Sequence, residues 1–162
     1  MPAVATIGVY GWTVETFLAA LGAARVRLVL DVRQRRGVRG SEYAWANAQR
    51  LQTVLAEAGV DYDHVKELAP TTELRQLQYA EDDRLGVAKR SRSELAEVYR
   101  ERYVREILDR YDLSSLVEGL PEDGAAALLC VELDPEACHR SLIAGRLESA
   151  HGLAVRHLRP SG

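Results

Sequence analysis

The sequence predicts a single α/β domain of Rossmann-like type, spanning residues 1–162, with a mostly parallel sheet and helices on both faces. Three observations carry this reading. Apolar or β-branched runs at 3–9, 26–32, 60–65, 125–131 and 153–158 have strand length rather than helix length. The first three are separated by stretches whose apolar residues recur at helical spacing, the pattern of βαβ units. Between the third and fourth runs lies a polar, mainly helical stretch over residues 67–119. An insertion of that length can cross the sheet and begin its other half, so the expected strand order is 3-2-1-4-5.

Each element has a local rationale. The first strand, residues 3–9, runs into a turn bounded by Gly8 and Gly11. Thr13 then caps a helix that places Val14, Phe17, Leu18 and Leu21 on one face, with Gly22 as its stop. The second strand, 26–32, is β-branched and leucine-rich, and the loop 33–40 after it holds Arg33, Arg35, Arg36 and Arg39 with two glycines. Ser41 is the expected cap of a second helix carrying the stripe Ala44, Ala48, Leu51, Leu55 and Ala58, ended by Gly59. In the insertion, Leu95, Val98, Val104, Ile107, Leu108 and Tyr111 trace an apolar face, and residues 83–93 form a charged connector. A turn at 121–124 precedes the fourth strand, 125–131, an uncharged run suited to burial on both faces.

Composition bounds the function classes. The chain is 47% hydrophobic and 28% charged with net charge −3, so overall charge points to neither nucleic acid nor membrane. No apolar run approaches the roughly 20 residues of a spanning helix, and nothing reads as a signal peptide. Two cysteines are too few for a disulfide framework. The expectation is a cytoplasmic protein with free thiols and no membrane association.

The junction after the fourth strand concentrates the reactive side chains: Cys130, Glu132, Asp134, Pro135, Cys138, His139 and Arg140. Asp134 suits an N-cap and Pro135 the first helical position, which puts Cys138, His139 and Arg140 about one turn inside a helix. Thr6-Ile-Gly8, Leu30-Asp-Val-Arg33, the segment from Leu55 to Val60 followed by Tyr62 and His64, and this junction together resemble the domain of unknown function family 488. The resemblance runs along nearly the whole chain in order and implies a compact α/β fold; it transfers no activity. Val9 and Tyr10 stand where many members of that family carry a His-Ser pair.

Ligands of open α/β sheets sit outside the carboxyl ends of the strands, where Gly8 and Tyr10, the segment 31–36 and the segment 132–140 are expected to gather. Asp31 and Arg33 share a strand face; Asp31 is either a general base or a structural partner of Arg33 or Arg140. Arg33, Arg35, Arg36 and Arg140 have the chemistry to clamp phosphate, with Asn47 and Asp134 near the rim. Glu132 is a second proton carrier, and Cys138 beside His139 is either a nucleophile or a packed thiol. The spacing of Cys130, Glu132, Cys138 and His139 matches no standard zinc pattern, so no metal ligand is assigned. Tyr79, Tyr99 and Tyr103 either stack bases or cover a helical core.

The leading expectation is therefore a protein that binds, and processes, a phosphate-bearing ligand such as a nucleotide or nucleic-acid end, using the basic loop 33–39. The alternatives are a non-catalytic module binding nucleotide, nucleic acid or protein, and a cysteine-based redox or metal site. The identity of any cofactor is left open by the sequence.

Overall fold

The computed structural model describes residues 3–87 and 94–161. Five parallel strands form one sheet: β1 (Ala3–Ile7), β2 (Val26–Asp31), β3 (Asp61–His64), β4 (Ala125–Leu129) and β5 (Val155–His157), in the order β3-β2-β4-β1-β5. The fold class is the expected one, with β1 and β4 exchanged relative to the expected order. The exchange follows from burial. The Ala-Ala-Ala-Leu-Leu run of β4 is buried at every position, and a strand with nothing to offer solvent belongs at the centre, paired on both edges. β1 takes the next place, with β5 outside it.

Alternate strand residues feed two cores. Ala5, Ile7, Val29, Ala127 and Leu129 pack under α1 (Val14–Ala23) and α2 (Ala48–Glu57), together with Phe17, Leu21, Leu51 and Leu55. Val4, Leu30, Ala126, Leu128 and Cys130 face α3 (Thr72–Leu85), α4 (Glu97–Glu106), α5 (Leu113–Glu118) and α6 (Arg140–His151). Tyr103 anchors the insertion, donating its hydroxyl proton to the Leu68 carbonyl at 2.6 Å from a fully buried position.

Local rules explain most boundaries. Thr13 caps α1 with a reciprocal bond to Thr16, and the chain leaves α1 past Gly22, through Ala24 and a left-handed Arg25. The second helix differs from its expected form. Ser41–Ala46 winds as a 3-10 helix, Asn47 adopts an extended conformation, and α2 starts only at Ala48. The break arises because Asn47 turns its side chain outward to accept from the Val38 amide instead of continuing the helix. The charged connector lies partly within α3, which ends on a left-handed Gly86; its residues 88–93 lie outside the described residues. No helix among the described residues is long and apolar enough to cross a membrane.

Two glycines make opposite predictions. A Cβ on Gly8 would stand 2.0 Å from the Glu132 carbonyl oxygen, whereas one on Gly22 meets nothing within 4 Å. Gly8→Ala is therefore expected to destabilise the fold by at least about 1–3 kcal/mol. Gly22→Ala, in a helical conformation, should gain about 0.4–1 kcal/mol. Urea unfolding of the two variants checks both signs.

Candidate functional site

The carboxyl ends of β2 and β4 lie side by side, and Asp31 organises the first of them. Its Oδ1 accepts from the Arg33 amide at 3.1 Å and from Arg33 Nε at 2.9 Å. Its Oδ2 accepts from Arg33 Nη2 at 2.8 Å and from the Tyr62 hydroxyl at 2.5 Å. Arg33 Nη1 completes the fork on the Ala46 carbonyl at 2.9 Å. Both side chains are buried, Asp31 at 0% and Arg33 at 1% exposure. Burial works against the Arg33 charge, but the bonded carboxylate outweighs it and the guanidinium is held above its ordinary range. Burial, then the hydrogen bond to Asp31, pushes the Tyr62 phenol up to about 12.

The second strand end supplies the floor of a cleft. Cys130 follows β4, Cys138 ends a 3-10 turn at Pro135–Ala137, and His139 is the N-cap of α6. The expected single helix from Pro135 is thus interrupted: Cys138 is extended, and α6 begins at Arg140. Asp134 caps no helix with its side chain and instead pairs with Arg159 at 2.9 Å. The interruption turns Cys138 back toward the strand. His139 Nδ1 lies 3.6 Å from Cys130 Sγ and 3.7 Å from Cys138 Sγ, while its Nε2 sits 2.7 Å from the Val32 carbonyl. The carbonyl can only accept, so Nε2 carries a hydrogen and Nδ1 faces the sulfurs.

Electrostatics at the floor is asymmetric. Burial opposes the Cys138 thiolate, but the Cys130 thiol, His139 and Arg140 together overcome it and hold Cys138 well below the usual thiol range. Burial, then Cys138 and Glu132, pushes Cys130 well above it. Burial disfavours the His139 charge, yet Cys138 and the Val32 carbonyl raise it overall. Both shifts run toward the charged forms, driven by the proximity of Cys138 and His139 to each other. Glu132 Oε2 stands 3.6 Å from Cys130 Sγ, almost out of solvent. Arg140, fully buried, clamps the turn from below, donating to the Glu132 carbonyl at 2.9 Å and the Leu133 carbonyl at 3.3 Å, with its Nε unpartnered.

The cleft above this floor has a cavity volume of about 60 Å³ and is open to solvent. Of the residues singled out in the sequence, it is lined by Arg33, Arg35, Cys130, Glu132, Cys138 and His139, with Asp31 held behind Arg33 and Arg140 beneath the floor. The others lie elsewhere. Gly8 packs on the Glu132 backbone, Tyr10 rests against the Tyr43 ring, Arg36 donates to the Tyr62 hydroxyl, and Asn47 holds Val38. Of the tyrosines, Tyr99 and Tyr103 are core residues stacked on each other, and Tyr99 and Tyr79 also line the cleft.

Sequence reasoning missed the opposite wall. Arg75 and Gln78 project from α3, joined by Gln34 of the loop. Arg75 donates to Gln34 Oε1 at 2.8 Å and to the Tyr79 hydroxyl at 2.9 Å, and lies over the Tyr79 ring. Gln78 bridges Asp82 and the Ala96 amide, tying α3 to the start of α4. The one available signal was the four-residue spacing of Arg75 and Tyr79, which puts both on one helix face.

Fold and site define a parallel α/β protein whose reactive groups, two cysteines with a histidine between them, stand at the end of its central strand. The particular family follows from the chain as a whole: the model of the family described as "Domain of unknown function DUF488" matches residues 13–147, and the protein belongs to that family. Comparison with curated proteins and with solved structures returns no match.

The Asp31 arrangement yields a graded prediction. Asp31→Ala leaves a buried guanidinium without its counter-charge and is expected to cost about 3–5 kcal/mol. Tyr62→Phe removes one hydrogen bond to the same carboxylate and should cost about 0.5–1.5 kcal/mol. Denaturant titration distinguishes the two magnitudes.

Proposed function

We propose that this cleft binds a phosphate-bearing ligand, a nucleotide or a nucleic-acid end, and processes it on the floor formed by Cys130, Glu132, Cys138 and His139. One observation carries the reading. Arg35 and Arg75 both line the cleft without a carboxylate partner among the described residues: Arg75 is held by the neutral Gln34 and Tyr79, and Arg35 is exposed. Arginines that are positioned but not neutralised are what a phosphate requires, since a guanidinium fork matches its oxygens.

The residues divide the work. Arg33 is already neutralised by Asp31, so it shapes the wall and leaves direct phosphate contact to Arg35 and Arg75. Both Asp31 oxygens are occupied, which leaves Glu132 as the carboxylate that handles protons at the cleft. Arg140 holds the Glu132 backbone in place from behind. Free thiols at the floor fit a reducing, cytoplasmic setting. The alternative, a pure binding module, uses the same arginines and leaves Glu132 without a chemical role.

Thermal shift with inorganic phosphate, mononucleotides and short single-stranded DNA and RNA tests the reading. A ligand at 100 times its Kd should add about 2.7 kcal/mol of stability. Arg75→Ala and Arg35→Ala should each weaken binding about tenfold or more, as expected for a charge-assisted hydrogen bond. An equal shift from the uncharged nucleosides, or full affinity in the double variant, overturns the proposal. Once a substrate is found, Glu132→Gln should remove turnover while leaving affinity intact; unchanged turnover would leave the binding module.

A further inference from the structure

The triangle of Cys130 Sγ, Cys138 Sγ and His139 Nδ1 has dimensions that a hydrogen-bond network does not demand. All three atoms lie within 4.8 Å of one another, and the two sulfur–nitrogen edges measure 3.6 and 3.7 Å. Zinc binds thiolate sulfur at about 2.3 Å and imidazole nitrogen at about 2.0–2.1 Å, and tetrahedral angles then put the sulfur–nitrogen edge at about 3.6 Å. We propose that Cys130, Cys138 and His139 are three ligands of a borderline-soft divalent transition metal of the zinc type.

Several features of the scaffold support the assignment independently of those edges. The Val32 carbonyl takes the His139 Nε2 hydrogen and so turns the Nδ1 lone pair toward both sulfurs, which is the usual outer-shell arrangement of a metal-bound histidine. Each ligand is held by a different piece of rigid structure: the end of β4, the close of a 3-10 turn, and the cap of α6. Ligand chemistry selects the metal, since two thiolates and an imidazole suit zinc and exclude the hard cations magnesium and calcium. Charge balances as well. Two protons leave to solvent as both sulfurs coordinate as thiolates and His139 as neutral imidazole, and the dication neutralises the resulting pair of thiolates.

The three ligands all line the cleft, so a fourth coordination position faces its interior. Glu132 neighbours Cys130 but stands outside the triangle. Three protein ligands with one open position is the pattern of catalytic rather than structural zinc. The chain spacing gives no hint of it, because Cys130 is separated from the Cys138-His139 pair by the turn that Arg140 clamps. The site stands on the same cleft as the phosphate reading, but on its floor and not on its arginines.

Metal binding by the purified, reduced full chain tests the assignment, with no phosphate ligand present. One equivalent of Co(II) should give near-ultraviolet sulfur-to-metal charge transfer and the intense visible bands of a four-coordinate ion, displaced by one equivalent of Zn(II). Cys130→Ser, Cys138→Ser and His139→Ala should each lose more affinity than the roughly 10–100-fold that an outer-shell change costs. Because a floor variant can misfold, thiol titration of the unaltered chain gives a second reading: Zn(II) should protect both cysteines from a disulfide reagent, and a chelator should restore their reactivity. Absence of stoichiometric Co(II) or Zn(II) binding, or identical thiol reactivity with and without Zn(II), overturns the proposal and leaves the two sulfurs and the imidazole as a packed, metal-free cluster. So does Co(II) binding that survives Cys138→Ser. Arg35→Ala and Arg75→Ala should leave metal affinity unchanged, so failure at the arginines and failure at the floor are read separately.

Discussion

The rest of the structure depends on the buried carboxylate of Asp31. It fixes Arg33 at three atoms and takes the Tyr62 hydroxyl, and through Arg33 it reaches Ala46 ahead of α2. The backbone between the paired residues is thereby held still. Val32 donates to Leu129 and accepts from His139, and the Arg33 carbonyl receives His64. One ion pair thus ties β2 to β3, to β4, to the 3-10 helix at Ser41–Ala46 and to the start of α6. A buried pair is weak evidence for net stability, because removing two charges from water offsets most of their attraction. Its contribution here is geometric: it sets the position of the carbonyl that orients His139.

Central placement of β4 supplies the complementary constraint. Its fully apolar run has neighbours on both edges and helices on both faces, so the residues that leave it emerge from the most rigid part of the sheet. Gly8 lets β1 approach the Glu132 backbone closely, and Arg140 grips the same turn from the other side. The floor of the cleft is therefore preorganised from three directions. Its polar atoms are placed by backbone contacts, and the unpartnered Arg140 Nε shows that this placement is not free of cost.

Local chemistry made much of this legible in the sequence. Alternation of strand-length runs with helical spacing shows the fold class, the Thr13 cap shows where α1 starts, and the Cys130 to Arg140 junction marks where reactive groups collect. What stayed hidden is tertiary. The order of β1 and β4 depends on which strand is buried on both edges, and runs as similar as Ala3–Ile7 and Ala125–Leu129 do not announce that. Residues 132–140 read as a helix start because Asp-Pro is a good one; the break before Arg140 comes from drawing Cys138 and His139 down onto β4 and the Val32 carbonyl. Spacing puts Arg75 and Tyr79 on one helix face, but nothing in α3 says that this face folds over the end of the sheet.

The cleft draws its two halves from parts of the chain with different obligations. Floor residues stand at the ends of β2 and β4 and at the cap of α6, where any shift would be felt throughout the core. Arg75, Gln78 and Tyr79 stand on α3, within an insertion whose length and path the sheet does not dictate. The α3 wall can thus take substitutions that the sheet would not feel, whereas a change at Cys130 or Cys138 reaches the core directly.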